Sequence, residues 1–131
     1  MTSLEINNPE ALQELEEAFE GYERALLANE PAELDAYFWR SELVLRYGVA
    51  ENLYGYDEIS AYRQRRAQQG GAPQRDIVRK VITTFGRDFG TANIDYVRRN
   101  GRKGRQSQTW VRMPDGWRIV AAHVSLLQDS D

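Results

Sequence analysis

The second half of the chain contains four strand-like stretches separated by short turn sequences, and this pattern constrains the fold most. The stretches cover residues 75–85, 89–99, 105–113 and 117–127. The first is dense in β-branched residues, which favour strands. Asn100-Gly101 is a strong hairpin signal, and Pro114-Asp115-Gly116 predicts a second turn. The sequence therefore predicts a four-stranded antiparallel meander.

Helical patterning dominates the first third of the chain. Asn8 and Pro9 are residue types preferred at a helix start. An apolar stripe at spacings of three and four follows. It consists of Leu12, Leu15, Phe19, Tyr22 and Leu26. Pro31 ends this helix and begins a short second helix that runs to about Ala36.

Two short strands and a third helix connect these regions. Residues 42–47 and 51–54 have strand character, and residues 57–68 are predicted to be helical. Helices before a run of long strands predict an α+β domain, with helices packed on a curved, mostly antiparallel sheet. A curved sheet encloses concave space, which small-molecule sites prefer. We expect one domain over residues 1–131, with a loose tail from about residue 128.

Composition excludes several classes of function. The 131 residues contain no cysteine and one histidine, which rules out disulfides, thiolate sites and multi-histidine metal centres. No apolar run approaches the roughly 18 residues that span a bilayer. The acidic N-terminus is also unlike a signal peptide. We therefore expect a cytoplasmic protein without membrane contact, metal or other cofactor.

Charge is divided unevenly along the chain. Residues 1–60 carry 14 acidic and 3 basic side chains, whereas residues 61–131 carry 6 acidic and 14 basic ones. The two net charges, −11 and +8, sum to −3. An acidic helical layer on a basic sheet would explain the division, and a basic face for anionic partners is the alternative. The basic hairpin at residues 98–105 lacks an aromatic residue for base stacking, so we expect no nucleic-acid partner.

Particular stretches also resemble a known family. Residues 115–120 (DGWRIV) and 123–125 (HVS) are similar to the closing strand of the NTF2-like, or SnoaL-like, superfamily, which often reads W-x-I and then H-x-S. Residues 43–48 (LVLRYG), 55–66 (GYDEISAYRQRR) and 106–127 resemble its AtzH-like group, which includes the oxalurate-catabolism protein HpxZ. The resemblance covers nearly the whole chain.

The resemblance implies a cone of sheet around a pocket and a homodimer paired through the sheet. The AtzH-like group is associated with bacterial breakdown of ureido and amide acids. We therefore expect a pocket that binds a small carboxylate and converts it by decarboxylation, hydrolysis or proton transfer. The alternative is a non-catalytic partner that assembles with, or stabilises, an amidohydrolase of the same pathway. The paired carboxylates of the steroid-isomerase-like branch are not found at any predicted strand position.

Arg46 is the first candidate for binding a substrate. A guanidinium that faces a pocket can bind a carboxylate through two charge-assisted hydrogen bonds. Strand alternation does not reveal its face, so the alternative is a surface arginine or one paired with a helix glutamate. Arg63 and Arg66 share a helix face with Tyr62, and together with Arg46 they could complete an anion site. Otherwise their aliphatic stems cover the sheet edge while their charged ends reach solvent or pair with helix carboxylates.

Tyr22 and His123 are the candidates for proton transfer. Tyr22 lies on the buried stripe of the first helix, where its hydroxyl needs a partner that a ligand could supply. His123 is the one side chain of a type that changes charge near neutral pH. It could act as a general base near Ser125, which points the same way along a strand. No residue that would orient the imidazole is identifiable, so a structural or interface histidine is the alternative.

Overall fold

The computed structural model describes residues 4–128 and confirms the predicted order of elements. Three helices cover Pro9–Leu27 (α1), Pro31–Ala36 (α2) and Tyr56–Gln68 (α3). Six strands cover Leu45–Tyr47 (β1), Asn52–Tyr54 (β2), Arg75–Phe85 (β3), Phe89–Arg98 (β4), Lys103–Met113 (β5) and Gly116–Leu126 (β6). They form one open sheet in the order β2-β1-β6-β5-β4-β3, in which β1 and β6 are parallel and the other neighbours antiparallel.

The first helix begins where its residue types predict. The Asn8 side chain accepts a hydrogen bond of 3.0 Å from the Ala11 backbone N–H, and Pro9 occupies the first helical position. The apolar stripe then enters the core, where Leu15 and Phe19 are completely buried. The helices thus lie before and against the sheet, which confirms the predicted α+β architecture.

Alternation along the long strands separates a buried inner face of the sheet from an outer face. In β5 the buried residues are Gly104, Gln106, Gln108 and Trp110, and the intervening Ser107 is exposed. Buried residues of β4 and β6 lie beside them in the register: Ala92, Ile94, Tyr96, Ala122 and Val124. The inner face consequently carries both the apolar core and several buried polar side chains.

One inner-face position requires glycine because an aromatic ring lies against it. Gly104 is the cross-strand partner of Tyr96, and a Cβ atom at Gly104 would come within 2.2 Å of the Tyr96 ring. The absence of a side chain there leaves room for the buried ring. Tyr96 can therefore form part of the wall of the concave space.

The structure differs most from the prediction at the start of the first strand. The first strand was expected from residue 42 but begins at Leu45, because residues 41–43 form a turn in which the Leu43 N–H bonds to Ser41 Oγ at 3.0 Å. Leu43 is accordingly exposed. Gln128 is exposed beyond β6, and the rest of the predicted tail lies outside the described residues. None of the helices within residues 4–128 has the length and apolar character needed to cross a membrane.

Candidate functional site

A cavity lies between α1, α3, the β1–β2 turn and the inner face of the sheet. Its volume of about 230 Å³ is below the roughly 300–1,000 Å³ of sites for drug-sized ligands, so it suits a small molecule. Five arginines line it: Arg46, Arg63, Arg66, Arg75 and Arg98. Glu51 is the only carboxylate among the described lining residues. The cavity is therefore strongly cationic.

Strand β1 places Arg46 on the inner face, which its sequence position alone left open. The residue is buried, and its Nη1 donates a hydrogen bond of 3.0 Å to Glu51 Oε1. Its guanidinium also lies over the Tyr62 ring, 5.1 Å from the ring centroid. Both contacts hold the charged end of Arg46 at the cavity wall. The alternative of a surface arginine is wrong.

Arg63 and Tyr22 form a hydrogen-bonded pair inside the cavity. Arg63 is 4% exposed, so its charged end does not reach solvent, and its Nη2 donates to the Tyr22 hydroxyl oxygen at 2.9 Å. Burial lowers the pKa of the Arg63 guanidinium, although arginine keeps its proton in proteins. Because the Tyr22 oxygen accepts from Arg63, the Tyr22 O–H proton remains available to a further acceptor. The pair thus presents an oriented proton donor.

Arg75 lies at the start of β3 and is held by a buried carboxylate. Its Nη2 donates to Glu23 Oε2 at 2.8 Å and to Gln106 Oε1 at 3.2 Å, and its guanidinium lies 4.5 Å from the Tyr96 ring centroid. Burial raises the pKa of the Glu23 carboxyl, and the charge and hydrogen bond of Arg75 oppose that rise. Glu23 is on α1, so this network ties the helix to the sheet at the cavity wall.

Several buried donors of lining residues have no acceptor. Among residues 4–128, Nε of Arg63, Nε of Arg75 and Nε2 of Gln106 are buried without a hydrogen-bond partner. Each belongs to a residue that lines the cavity, and each is an N–H donor. Buried donors left unpaired are unfavourable by about 1–3 kcal/mol each. Because these nitrogens are inaccessible even to water, they do not face the open space of the cavity and do not by themselves indicate a ligand there.

The predicted residues are not all brought together. Tyr22, Arg46, Tyr62 and Arg63 line the same cavity. His123 does not, because it is exposed on the outer face of β6, between buried residues of the inner face. Its ring packs edge-on against Tyr47, its cross-strand partner, with the centroids 5.7 Å apart. The geometry gives His123 no contact with a ligand in this cavity.

Sequence reasoning missed the part of the site on the long strands. Arg75 and Arg98 are direct partners across the β3–β4 hairpin because a bulge between Ile77 and Arg79 shifts the register, whereas regular pairing of the predicted strands places Arg99 opposite Arg75. Gln106 occupies an inward position of β5 in alternation with Trp110, and a polar residue at such a position signals a lined cavity. No group of three or more potential metal ligands occurs within the described part of the chain.

The fold is that of an NTF2-like α+β domain. An NTF2-like superfamily protein from Salmonella enterica shares this fold at 22% identity, with a TM-score of 0.72 over 93% of this chain and 94% of that one. The sequence matches the AtzH-like family over residues 4–130. The chain therefore belongs to the AtzH-like family.

Two solved structures are similar in both sequence and fold. A DUF3225-family protein from Pectobacterium atrosepticum is 47% identical, with a TM-score of 0.88 over 94% of this chain and 95% of that one. A cystatin-like fold protein from Burkholderia xenovorans is 41% identical, with a TM-score of 0.90 over 98% of this chain and 100% of that one. No protein of curated function matches the sequence.

Proposed function

We propose that the protein binds a small carboxylate or ureido acid in the arginine-lined cavity and transfers a proton to it. The observation that carries this proposal is the lining, in which five arginines face one glutamate. A carboxylate supplies the negative charge that these arginines attract and accepts charge-assisted hydrogen bonds from them. The volume of about 230 Å³ favours a small ligand.

The residues divide into binding and chemical roles. Arg46 binds the ligand's carboxylate, with Arg63 and Tyr62 beside it. Tyr22 supplies the proton, since Arg63 already donates to its oxygen. A proton shift and a decarboxylation both need a proton delivered to one ligand atom. Hydrolysis is less well supported, because among residues 4–128 no serine, threonine or histidine lines the cavity, and the one carboxylate there, Glu51, is paired.

Thermal unfolding with a panel of small acids, including malonate and oxalurate, tests the binding step. A ligand at 100 times its dissociation constant stabilises a protein by about 2.7 kcal/mol, which raises the Tm by several degrees. We expect a ligand-specific rise that Arg46→Ala abolishes. Tyr22→Phe should keep the rise but lose turnover, because it removes only the proton donor. A rise that survives in Arg46→Ala would contradict the proposed site.

The role in ureido- and amide-acid catabolism, in the cytoplasm, belongs to the same proposal and is supported by the family alone. Pairing into a homodimer through the sheet is supported by apolar side chains on the exposed sheet, among them Tyr54 and Val81. Assembly with a pathway amidohydrolase is the non-catalytic alternative. Sedimentation of the purified protein, alone and with such an enzyme, distinguishes monomer, homodimer and mixed complex.

A further inference from the structure

Among the described residues that line the cavity, Glu51 is the only one with a negative charge, beside five arginines. It follows the β1–β2 turn, and its side chain is 28% exposed, whereas that of its partner Arg46 is 9% exposed. It therefore stands between the buried cation and solvent. We propose that Glu51 is an internal counter-ion that competes with the ligand's carboxylate for Arg46, and so sets how tightly the pocket binds acids. This inference rests on the proposed function.

The contacts between Arg46 and Glu51 would allow a ligand carboxylate to replace Glu51. A single hydrogen bond, from Arg46 Nη1 to Glu51 Oε1 at 3.0 Å, joins the two side chains. Arg46 remains held from the other side by the Tyr62 ring. A ligand carboxylate can replace the glutamate without releasing the arginine from the wall. The partly exposed Glu51 side chain can then turn into solvent, where it is hydrated, and only a weak ion pair is lost.

The β1–β2 turn leaves room for the contact between Arg46 and Glu51. The Gly48 N–H bonds to the Glu51 backbone oxygen at 2.8 Å, which closes the turn. A Cβ atom at Gly48 would lie 2.0 Å from Glu51 Oε1 and 2.9 Å from Arg46 Nη1. The glycine thus leaves the space that the ion pair occupies. Val49, within the same turn, is 50% exposed, so little packing restrains the segment.

The expected direction follows from charge. A carboxylate bound at Arg46 must approach Glu51, and two like charges in a partly buried site repel each other. Replacing Glu51 by glutamine removes that repulsion but keeps an oxygen that can accept from Arg46. We therefore expect Glu51→Gln to bind malonate about tenfold more tightly than the wild type. Glu51→Asp retains the charge and should stay near the wild-type affinity.

Calorimetric titration with malonate and with oxalurate tests the inference on four variants and the wild type. The variants are Glu51→Gln, Glu51→Asp, Arg46→Ala and the control Glu33→Gln, which makes the same charge change at an exposed helix position outside the cavity lining. Tighter binding in Glu51→Gln alone, with Glu33→Gln unchanged, supports the counter-ion role. Unfolding curves for each variant confirm that the folded protein is being titrated.

Three results would overturn the inference, and they are distinguishable. If the wild type binds an acid in an Arg46-dependent way but Glu51→Gln binds it equally or more weakly, the counter-ion role is wrong and the proposed function stands. If neither the wild type nor Glu51→Gln shows Arg46-dependent binding of either acid, the proposed function is wrong and the inference falls with it. Equal tightening in Glu33→Gln would show a general charge effect and also reject the inference.

Discussion

Two arginine–glutamate pairs flank the same cavity, and they differ mainly in the exposure of the glutamate. In the Arg75–Glu23 pair, the side chains are 8% and 10% exposed, whereas in the Arg46–Glu51 pair they are 9% and 28% exposed. Removing one partner of a buried ion pair strongly destabilises a protein, whereas a partly exposed ion pair contributes little to stability. From this difference we expect Arg75 to serve the fold, and Arg46 to be the arginine that can exchange its partner for the proposed ligand.

The largest expected effect is on stability and comes from the buried pair. Glu23→Ala leaves the Arg75 charge buried without its carboxylate, so we expect the free energy of unfolding to fall by about 3–5 kcal/mol. Urea denaturation measures this change. Glu20→Ala is a matched control on the same helix, because Glu20 and Lys80 form an exposed pair at 3.8 Å. Equal losses in both variants would remove the distinction between buried and exposed pairs.

The next prediction is that replacing Arg46 weakens ligand binding, whereas replacing Arg75 lowers stability. Arg46→Ala should weaken malonate binding by about thirtyfold or more, since it removes a buried charge partner of the ligand. Arg75→Ala should instead lower the free energy of unfolding, because it leaves Glu23 buried and unpaired. Calorimetry and urea denaturation on both variants test this. Stronger loss of binding from Arg75→Ala, in protein shown to be folded, would reverse the assignment.

A pH effect should distinguish Glu23 from other carboxylates. Burial raises the pKa of Glu23 in the folded protein, so the native state binds a proton more tightly than the unfolded chain does. The associated stability is present below the ordinary glutamate pKa and is lost as the pH rises through the raised value. Glu23→Gln should remove this step from the pH dependence of unfolding. A wild-type stability that rises more than that of Glu23→Gln across the same window would contradict the direction.

The smallest expected effect is on the stability of the exchangeable pair. Glu51→Ala removes the partly exposed carboxylate that stands between Arg46 and solvent, so water can reach the guanidinium and the free energy of unfolding should fall by only about 0–1 kcal/mol. The same urea series measures it. A loss comparable to that of Glu23→Ala would mean that Glu51 is a structural partner of Arg46, and the contrast between the two pairs would disappear.

The sequence predicted elements more completely than the site. The start of α1 at Pro9 and both ends of β3 match the prediction, because capping residues and β-branched runs act locally. The site was predicted in part: Tyr22, Arg46, Tyr62 and Arg63 do line one cavity. Their catalytic and binding roles stay predictions. Residues of β3–β5 were missed because each becomes a lining residue only through its neighbours in the sheet.

Local periodicity and turn chemistry were enough to specify three helices and the meander, since these elements depend on neighbours along the sequence. The absence of cysteine and the net charge of −3 are read directly from the composition. The faces and partners of charged side chains depended on tertiary structure. Arg46 points inward because β1 joins β6 in a parallel register, while the same register puts His123 outside. Arg75 meets Glu23 from 52 residues away. Such pairings are fixed by burial and sheet register, which bring together groups that no local pattern connects.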